Sequence, residues 1–280
     1  MASVSTTHRL STGHEVSLPL ELEFATGGVV VPARRGRLEA TLPAGLSSVA
    51  IGPGVGCVSL VGIQYRRVGG STGEETDGGG EGGGDELEPY NEFAAIIPAV
   101  RGGRTTIPLA QLFDADLGGF VHWLPVTTEA SVALGRELWG YPKERAEITV
   151  TDGPRGVRTV VGSDPEPAVR LDVPRPRLAF GLGSRGGSTA HGGPERNWTL
   201  TSFTTKHGDL HRTRAEIEGR VAVGPAVGAT LEVGSGAGAA ILRRLGTWNR
   251  PLVAFAGSRV RAQLSAPEAV PSAAPSANGR

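Results

Sequence analysis

Val16-Ser-Leu-Pro-Leu-Glu-Leu-Glu-Phe24 carries an apolar side chain at every second position, with polar residues or proline between. A period of two puts Val16, Leu18, Leu20, Leu22 and Phe24 on one face of a half-buried strand, because successive strand residues point to opposite faces. A helix would need its apolar residues three and four apart. Pro19 has no N–H to give to a ladder and marks an edge strand. The same reading extends outward. Val29-Val-Val-Pro32 continues extended, and Arg37-Leu-Glu-Ala-Thr-Leu-Pro43 reads as a short helical turn ended by Pro43. Val55 to Val68 is a long strand, apolar throughout at its start and more polar later. Tyr90 to Val100 and Phe120 to Val126 are also strand-like.

The best helix is Thr128 to Leu138, where Thr128 can cap, Glu129 suits the first turn, and Ala, Val and Leu follow at helical spacing. Beyond it the pattern is β: Arg145–Thr151, Val157–Val161, Ala168–Val173, Trp198–Thr205, His211–Val223 and Pro251–Leu264, separated by glycine and proline turns. Lys206-His-Gly-Asp209 has the form of a hairpin turn. The fold class expected is mainly β with a few helices. Residues 1–264 read as one domain. It contains two glycine-rich insertions, 69–85 and 181–196, that offer no apolar anchor and are expected to be loose surface loops. Residues 265–280, rich in Pro, Ala and Ser, are expected to form a disordered tail.

Composition narrows the function. The formal net charge is zero, which argues against nucleic acid or an anionic membrane as the main partner. No apolar run reaches the roughly 18 residues a membrane helix needs. Met1-Ala-Ser-Val-Ser-Thr-Thr-His8 lacks the apolar core of a secretory signal, so the cytoplasm is the expected compartment. The single cysteine, Cys57, excludes an internal disulfide.

One stretch stands out for chemistry: Gly135-Arg-Glu-Leu-Trp-Gly-Tyr-Pro-Lys143-Glu144. Lys143 and Lys206 are the only lysines among 28 Lys and Arg residues. Arginine stays protonated in proteins, whereas lysine can lose its proton and act as an amine nucleophile. Lys143 follows a proline and lies near Trp139 and Tyr141, which can dry it. A coding bias toward arginine that left one solvated lysine is the alternative. A Schiff-base lysine must be neutral when it reacts, and desolvation lowers a lysine pKa. Glu92, on another strand, is the candidate acid or base.

Other patterns carry less. Gly69-Gly-Ser71-Thr-Gly73 has the letters of a nucleophile elbow but no helix after it. Val233-Gly-Ser-Gly-Ala-Gly238 imitates a dinucleotide fingerprint, but Leu252–Val260 lacks the expected acid and there is no βαβ alternation. His207, Asp209 and His211 sit across a hairpin turn rather than on one helix face, and are read as a solvated turn. No metal and no cofactor is expected. His122, alone, reads as a core histidine or a pocket residue.

Gly-Arg-Glu-Leu-x-x-Tyr-Pro-Lys, preceded by Phe-Val-His-x-x-x-Val-x-x-Glu129, resembles the acetoacetate decarboxylase family. The likeness includes Tyr90-Asn-Glu92 with Ile97-Pro98, Leu42-Pro-Ala-Gly-Leu46 and Ala215-Glu-Ile-Glu-Gly-Arg220, and spans Leu18 to Leu264 outside the insertions. It implies an antiparallel β-barrel-like fold, a homo-oligomer, and a lysine that condenses with a small β-keto or α-keto acid so that the iminium becomes an electron sink. Carried over by position, Lys143 is the Schiff-base lysine and Glu92 an active-site glutamate. Tyr141, Trp123, His122 and Arg136 are the expected substrate-binding residues. The chain departs from the family pattern in three places. Glu144 stands where a second lysine follows the first, Ser59 where a second glutamate stands, and Phe24 nearest the N-terminal arginine, with Arg34 and Arg35 beyond. The first departure shifts weight from decarboxylation toward aldol or dehydration chemistry through the same imine. An extended backbone turns Glu144 to the face opposite Lys143. The rival expectation is a non-catalytic barrel that binds a small carboxylate or apolar ligand.

Overall fold

Long alternating strands need partners on both edges, and this chain provides them by closing a ring. The computed structural model describes residues 6–70, 84–102, 111, 116–163, 166–175 and 198–271. Leu20–Arg34 pairs with Val55–Gly69 on one side and with Val253–Leu264 on the other. Val55–Gly69 continues to Tyr90–Arg101, and that to Leu117–Val126. Leu117–Val126 meets Trp198–Lys206, a hairpin leads to Asp209–Gly219, and this strand reaches Val253–Leu264. The result is a closed barrel of 7 strands, which leaves none of them with an open edge.

The pairings around the ring are antiparallel except one. Leu117–Val126 and Trp198–Lys206 run parallel through Ser202↔Gly119 and Phe203↔Phe120. Side chains are absent where this seam is tightest: a Cβ on Gly118 would lie 2.6 Å from Phe203 Cε2 and 2.8 Å from Thr201 O. The hairpin turn falls where the sequence puts it, with Lys206 opposite Asp209. His207 at φ 54° and Gly208 at φ 90° give the two positive dihedrals of a type I′ turn, whose twist matches that of the strands.

A second, four-stranded antiparallel sheet joins Ile148–Gly153, Gly156–Val161, Val169–Pro174 and Thr230–Val233. It packs against the barrel where two glycines leave room. A Cβ on Gly27 would stand 2.5 Å from Val157 Cβ, and one on Gly62 would collide with Thr159 Oγ1. Apolar side chains form two clusters. One joins the second sheet, Phe93, Trp123 and the helix Gly236–Leu245. The other gathers Phe24, Tyr65, Tyr90, Leu124, Leu134 and Tyr141. Each fully buried Leu or Val contributes about 1.5–3 kcal/mol.

The element boundaries differ from the sequence reading in identifiable ways. The stretch 16–24 is two strands, Glu15–Leu18 and Leu20–Arg34, divided at Pro19. Arg145–Thr151 is also two pieces: Lys143–Arg145 joins the barrel sheet and Ile148–Gly153 the second sheet. His211–Val223 breaks after Gly219, whose φ of 124° suits glycine. The helix expected over 128–138 is α-helical only for Glu129–Leu134, capped by the Thr128 side chain on Ser131 N, and then widens into a π-helical turn, Gly135–Trp139. The start of the Pro/Ala/Ser segment is ordered: Glu268–Ala269 pairs with His211–Arg212, and Val270 is buried. Residues 272–280, most of the first insertion (71–83) and all of the second (within 176–197) lie outside the described residues. Among the described residues no helix is long and apolar enough to cross a membrane.

Candidate active site

Lys143 sits at a junction that the π-helical turn creates. Gly140, at φ 67°, ends the turn by donating to Arg136 O, and Tyr141 N donates to Gly135 O, which brings the chain back along the turn's own side. The lysine then enters a three-residue strand parallel to Leu117–Val126, in register with Leu124. Its stem lies against Gly135. A Cβ there would collide with Lys143 Cδ and stand 2.8 Å from Cε and 2.9 Å from Cγ. Arg136 Nε donates to Lys143 O at 2.6 Å and fixes the backbone from the exposed side.

Glu92 comes from the other flank of the same strand. It pairs with Val126, two residues along from the partner of Lys143. The two side chains converge: Lys143 Nζ is 2.9 Å from Glu92 Oε2, and each residue is 4% exposed. The contact is an ion pair in which Oε2 lacks the alignment of a hydrogen bond. The ammonium donates instead to the Tyr90 hydroxyl at 3.0 Å and lies 4.9 Å from the Tyr90 ring centroid. Tyr65 Oη donates to Glu92 Oε1 at 3.3 Å, and its ring packs between those of Tyr90 and Phe24, with centroids at 4.6 and 5.5 Å. The Tyr141 hydroxyl shares a 2.8 Å hydrogen bond with Ser202.

The electrostatics follow from burial and this pair. Burial pulls the Lys143 pKa down, but the Glu92 carboxylate and the Tyr90 hydroxyl together outweigh it, and the net shift is upward. Desolvation therefore does not by itself deliver a neutral amine here; at rest the lysine is an ammonium. Burial pushes the Tyr90 phenol up to about 12, with Glu92 adding to the rise and Lys143 opposing it. Burial likewise raises Tyr65, reinforced by Glu92, and Tyr141, against the opposing hydrogen bond from Ser202. All three phenols stay neutral at working pH.

The remaining sequence candidates separate. Tyr141 stays with Lys143, in the same apolar cluster as Tyr65 and Tyr90. Trp123 does not: it belongs to the other cluster, edge-on to Phe93 with ring centroids 5.5 Å apart. Its indole donates to Glu144 Oε1 at 2.5 Å, so Glu144 is held away from the Lys143 amine. Burial lowers the His122 pKa, and the charge of Arg244, on the helix Gly236–Leu245, lowers it further. The pairing shifts register between Ala95 and Ile96, opposite Trp123 and Val121, and simple alternation does not carry across it. Arg136 acts on the backbone of Lys143 rather than on the buried side. Arg35 is turned to Ser48 O and Glu39. Sequence reasoning missed Tyr65, Tyr90 and Gly135. Tyr90 had a signal, because it stands two residues before Glu92 and shares its strand face; Tyr65 had none, since only pairing opposite Tyr90 brings it in. Among the described residues no group of three His, Cys, Asp or Glu side chains is placed to hold a metal.

No curated protein matches the sequence. Among solved structures the chain is similar to the enduracididine biosynthesis enzyme MppR complexed with the condensation product of pyruvate and imidazole 4-carboxaldehyde. The two are 13% identical, the match covers 89% of this chain and 88% of that one, and the TM-score is 0.58. It is also similar to acetoacetate decarboxylase from Legionella pneumophila (15% identity, 90% and 87% covered, TM-score 0.56). A third is an acetoacetate decarboxylase-like enzyme from Sphingomonas wittichii RW1 (18% identity, 90% and 92% covered, TM-score 0.53). At these identities the likeness is one of fold. The sequence itself matches the acetoacetate decarboxylase (ADC) family over residues 26–178, a span that holds Tyr65, Tyr90, Glu92, Gly135 and Lys143, and the chain belongs to that family.

Proposed function

We propose that the protein is an imine-forming enzyme of the acetoacetate decarboxylase type, a carbon–carbon lyase in which Lys143 condenses with the carbonyl of a small substrate. The observation that carries this reading is the buried Lys143–Glu92 contact of 2.9 Å beside the Tyr90 hydroxyl. An ammonium is not a nucleophile, so the proton must leave first. Glu92 is within transfer distance, and moving the proton from nitrogen to carboxylate turns a charged pair into a neutral one. In a dry site that exchange is far less costly than separating the charges, because desolvation penalises both ions. The free amine then attacks the carbonyl carbon. Glu92 returns a proton toward the departing oxygen, and the Tyr90 hydroxyl is placed to donate to it. The iminium withdraws electrons from the adjacent bond. A β-keto acid, the substrate the sequence resemblance suggests, would lose CO2 at this stage; a substrate with an acidic α-hydrogen would give an enamine for aldol or dehydration chemistry.

Borohydride trapping tests this. The folded protein is incubated with acetoacetate, pyruvate and neutral ketones and aldehydes in turn, then reduced, digested and weighed by mass spectrometry. The expected result is an adduct on the Lys143 peptide, absent from Lys143→Ala. Release of CO2 with the adduct identifies decarboxylation, and an adduct without it identifies enamine chemistry. If no carbonyl compound labels Lys143, the imine reading fails and a ligand-binding barrel takes its place.

A further inference from the structure

Among the described residues, the charges around Lys143 balance before any substrate arrives. Lys143 and Glu92 form one buried pair beside the neutral phenols of Tyr65 and Tyr90, with Tyr141 in the same apolar cluster and Phe24 packed behind Tyr65. The groups that the Lys143 amine contacts are the Glu92 carboxylate and the neutral Tyr90 hydroxyl. Among the described residues no second cation touches this group. Arg136 is turned to the Lys143 carbonyl oxygen on the exposed side, and Arg35 to Ser48 O and Glu39.

Imine formation keeps that balance only for some substrates. A ketone or aldehyde and the lysine ammonium give a protonated imine and water. The C=N bond replaces C=O, the carbonyl oxygen leaves with two protons that began on nitrogen, and nitrogen carries one positive charge before and after. With a neutral carbonyl compound the site is therefore net zero before and after condensation. A keto acid brings one further negative charge. The iminium can pair with Glu92 or with the substrate carboxylate but cannot neutralise both. An uncompensated ion in a buried site costs several kcal/mol even after relaxation. Phenol hydroxyls can donate to a carboxylate but carry no charge to offset it.

We propose that the Lys143 site selects neutral carbonyl compounds, ketones or aldehydes without a carboxylate, over keto acids. This rests on Lys143 being the imine-forming amine. Pyruvate with pyruvamide, and acetoacetate with acetoacetamide, are near-isosteric pairs that differ in the charge. The concentration giving half-maximal reductive labelling of Lys143 is measured for each. Each amide should label at a concentration at least about tenfold lower than its acid, as an unpaired buried charge requires. In Glu92→Gln the protonated imine has no protein carboxylate to pair with and only a substrate carboxylate can neutralise it, so the ratio of acid to amide should move toward the acid even if labelling is slower. Labelling by either acid as readily as by its amide overturns the proposal, as does release of CO2 from acetoacetate faster than with Lys143→Ala. A ratio unchanged by Glu92→Gln overturns it too, by showing that charge is not the cause. No labelling by any of the four compounds, from folded protein, removes the imine reading and this inference together. A preference for acids removes the inference alone.

Discussion

At the scale of single residues, the ion pair is the feature with the sharpest consequences. Breaking a buried pair from one side leaves the other ion uncompensated, whereas removing both is far milder. Lys143→Met should therefore lower stability by about 3–5 kcal/mol. Lys143→Met combined with Glu92→Gln should recover more than half of that loss. Urea unfolding of the three proteins measures it; equal stability of the single and double variants would mean that the pair is not buried in solution. Gly135→Ala tests the space for the lysine stem. Its methyl group collides with Cδ, so the stem must move, at about 1–3 kcal/mol for overpacking. A displacement of about 1 Å can cost two orders of magnitude in rate. Adduct formation at Lys143 should then slow by at least about tenfold. Lys143 was legible in the sequence because lysine is so rare in this chain, and Glu92 through the Tyr-Asn-Glu resemblance. The contact between them was not, because it depends on both flanking one strand two residues apart. Nor was the raised Lys143 pKa: the sequence points to drying, while the geometry adds a carboxylate and a phenol that together outweigh it.

At the scale of elements, the π-helical turn Gly135–Trp139 sets the lysine's approach, and the chain's other lysine supports it. Lys206 Nζ, from the hairpin, donates to Glu137 O at 2.6 Å and Leu138 O at 3.1 Å, carbonyls that the end of a helix leaves open. Lys206→Ala should cost about 1 kcal/mol, below the usual range for a charge-assisted bond because the group is partly exposed. It should also slow adduct formation less than Gly135→Ala does, since the stem keeps its space. Glu144 gives the opposite expectation. Its carboxylate accepts from Trp123 on the side away from Lys143. Glu144→Gln keeps an acceptor there, and the pH dependence of Lys143 labelling should be unchanged; a displaced profile would mean that Glu144 reaches the amine. The extended backbone at Lys143–Arg145 made this division of faces readable from sequence. The π-widening was not readable, because Thr128, Glu129 and the apolar spacing that follows satisfy an ordinary α-helix equally well.

At the scale of the whole molecule, the β character could be read from alternation, but closure of the ring could not. It depends on Leu20–Arg34 meeting Val253–Leu264, and on Gly118 letting Leu117–Val126 approach Trp198–Lys206 in parallel, pairings between segments far apart in the chain. That closed fold has a common response to alkali, because the thiol, the three phenols and the lysine it buries hold their protons more tightly than in the unfolded chain. Burial raises the Cys57 thiol from 9.0 to about 12 and the Tyr90 phenol from 10.0 to about 12; Tyr65, Tyr141 and Lys143 move the same way. A raised folded-state pKa gives stability that is fully present below the unfolded pKa and is lost as pH rises toward the folded one. The unfolded thiol ionises first, so the loss should begin near pH 9 and steepen above pH 10 as the unfolded phenols and lysine lose their protons. Each such group adds up to about 1.4 kcal/mol per pH unit once its unfolded form is ionised. Urea unfolding between pH 8 and pH 11 checks the sign and the order. Cys57→Ala, which removes the first group to ionise, should flatten the curve between pH 9 and pH 10 and leave the steeper fall above it. A curve as steep in that interval for the variant as for the parent would mean that the thiol is not protonated by burial, and that the strand Val55–Gly69 is more open to water than its place in the barrel requires.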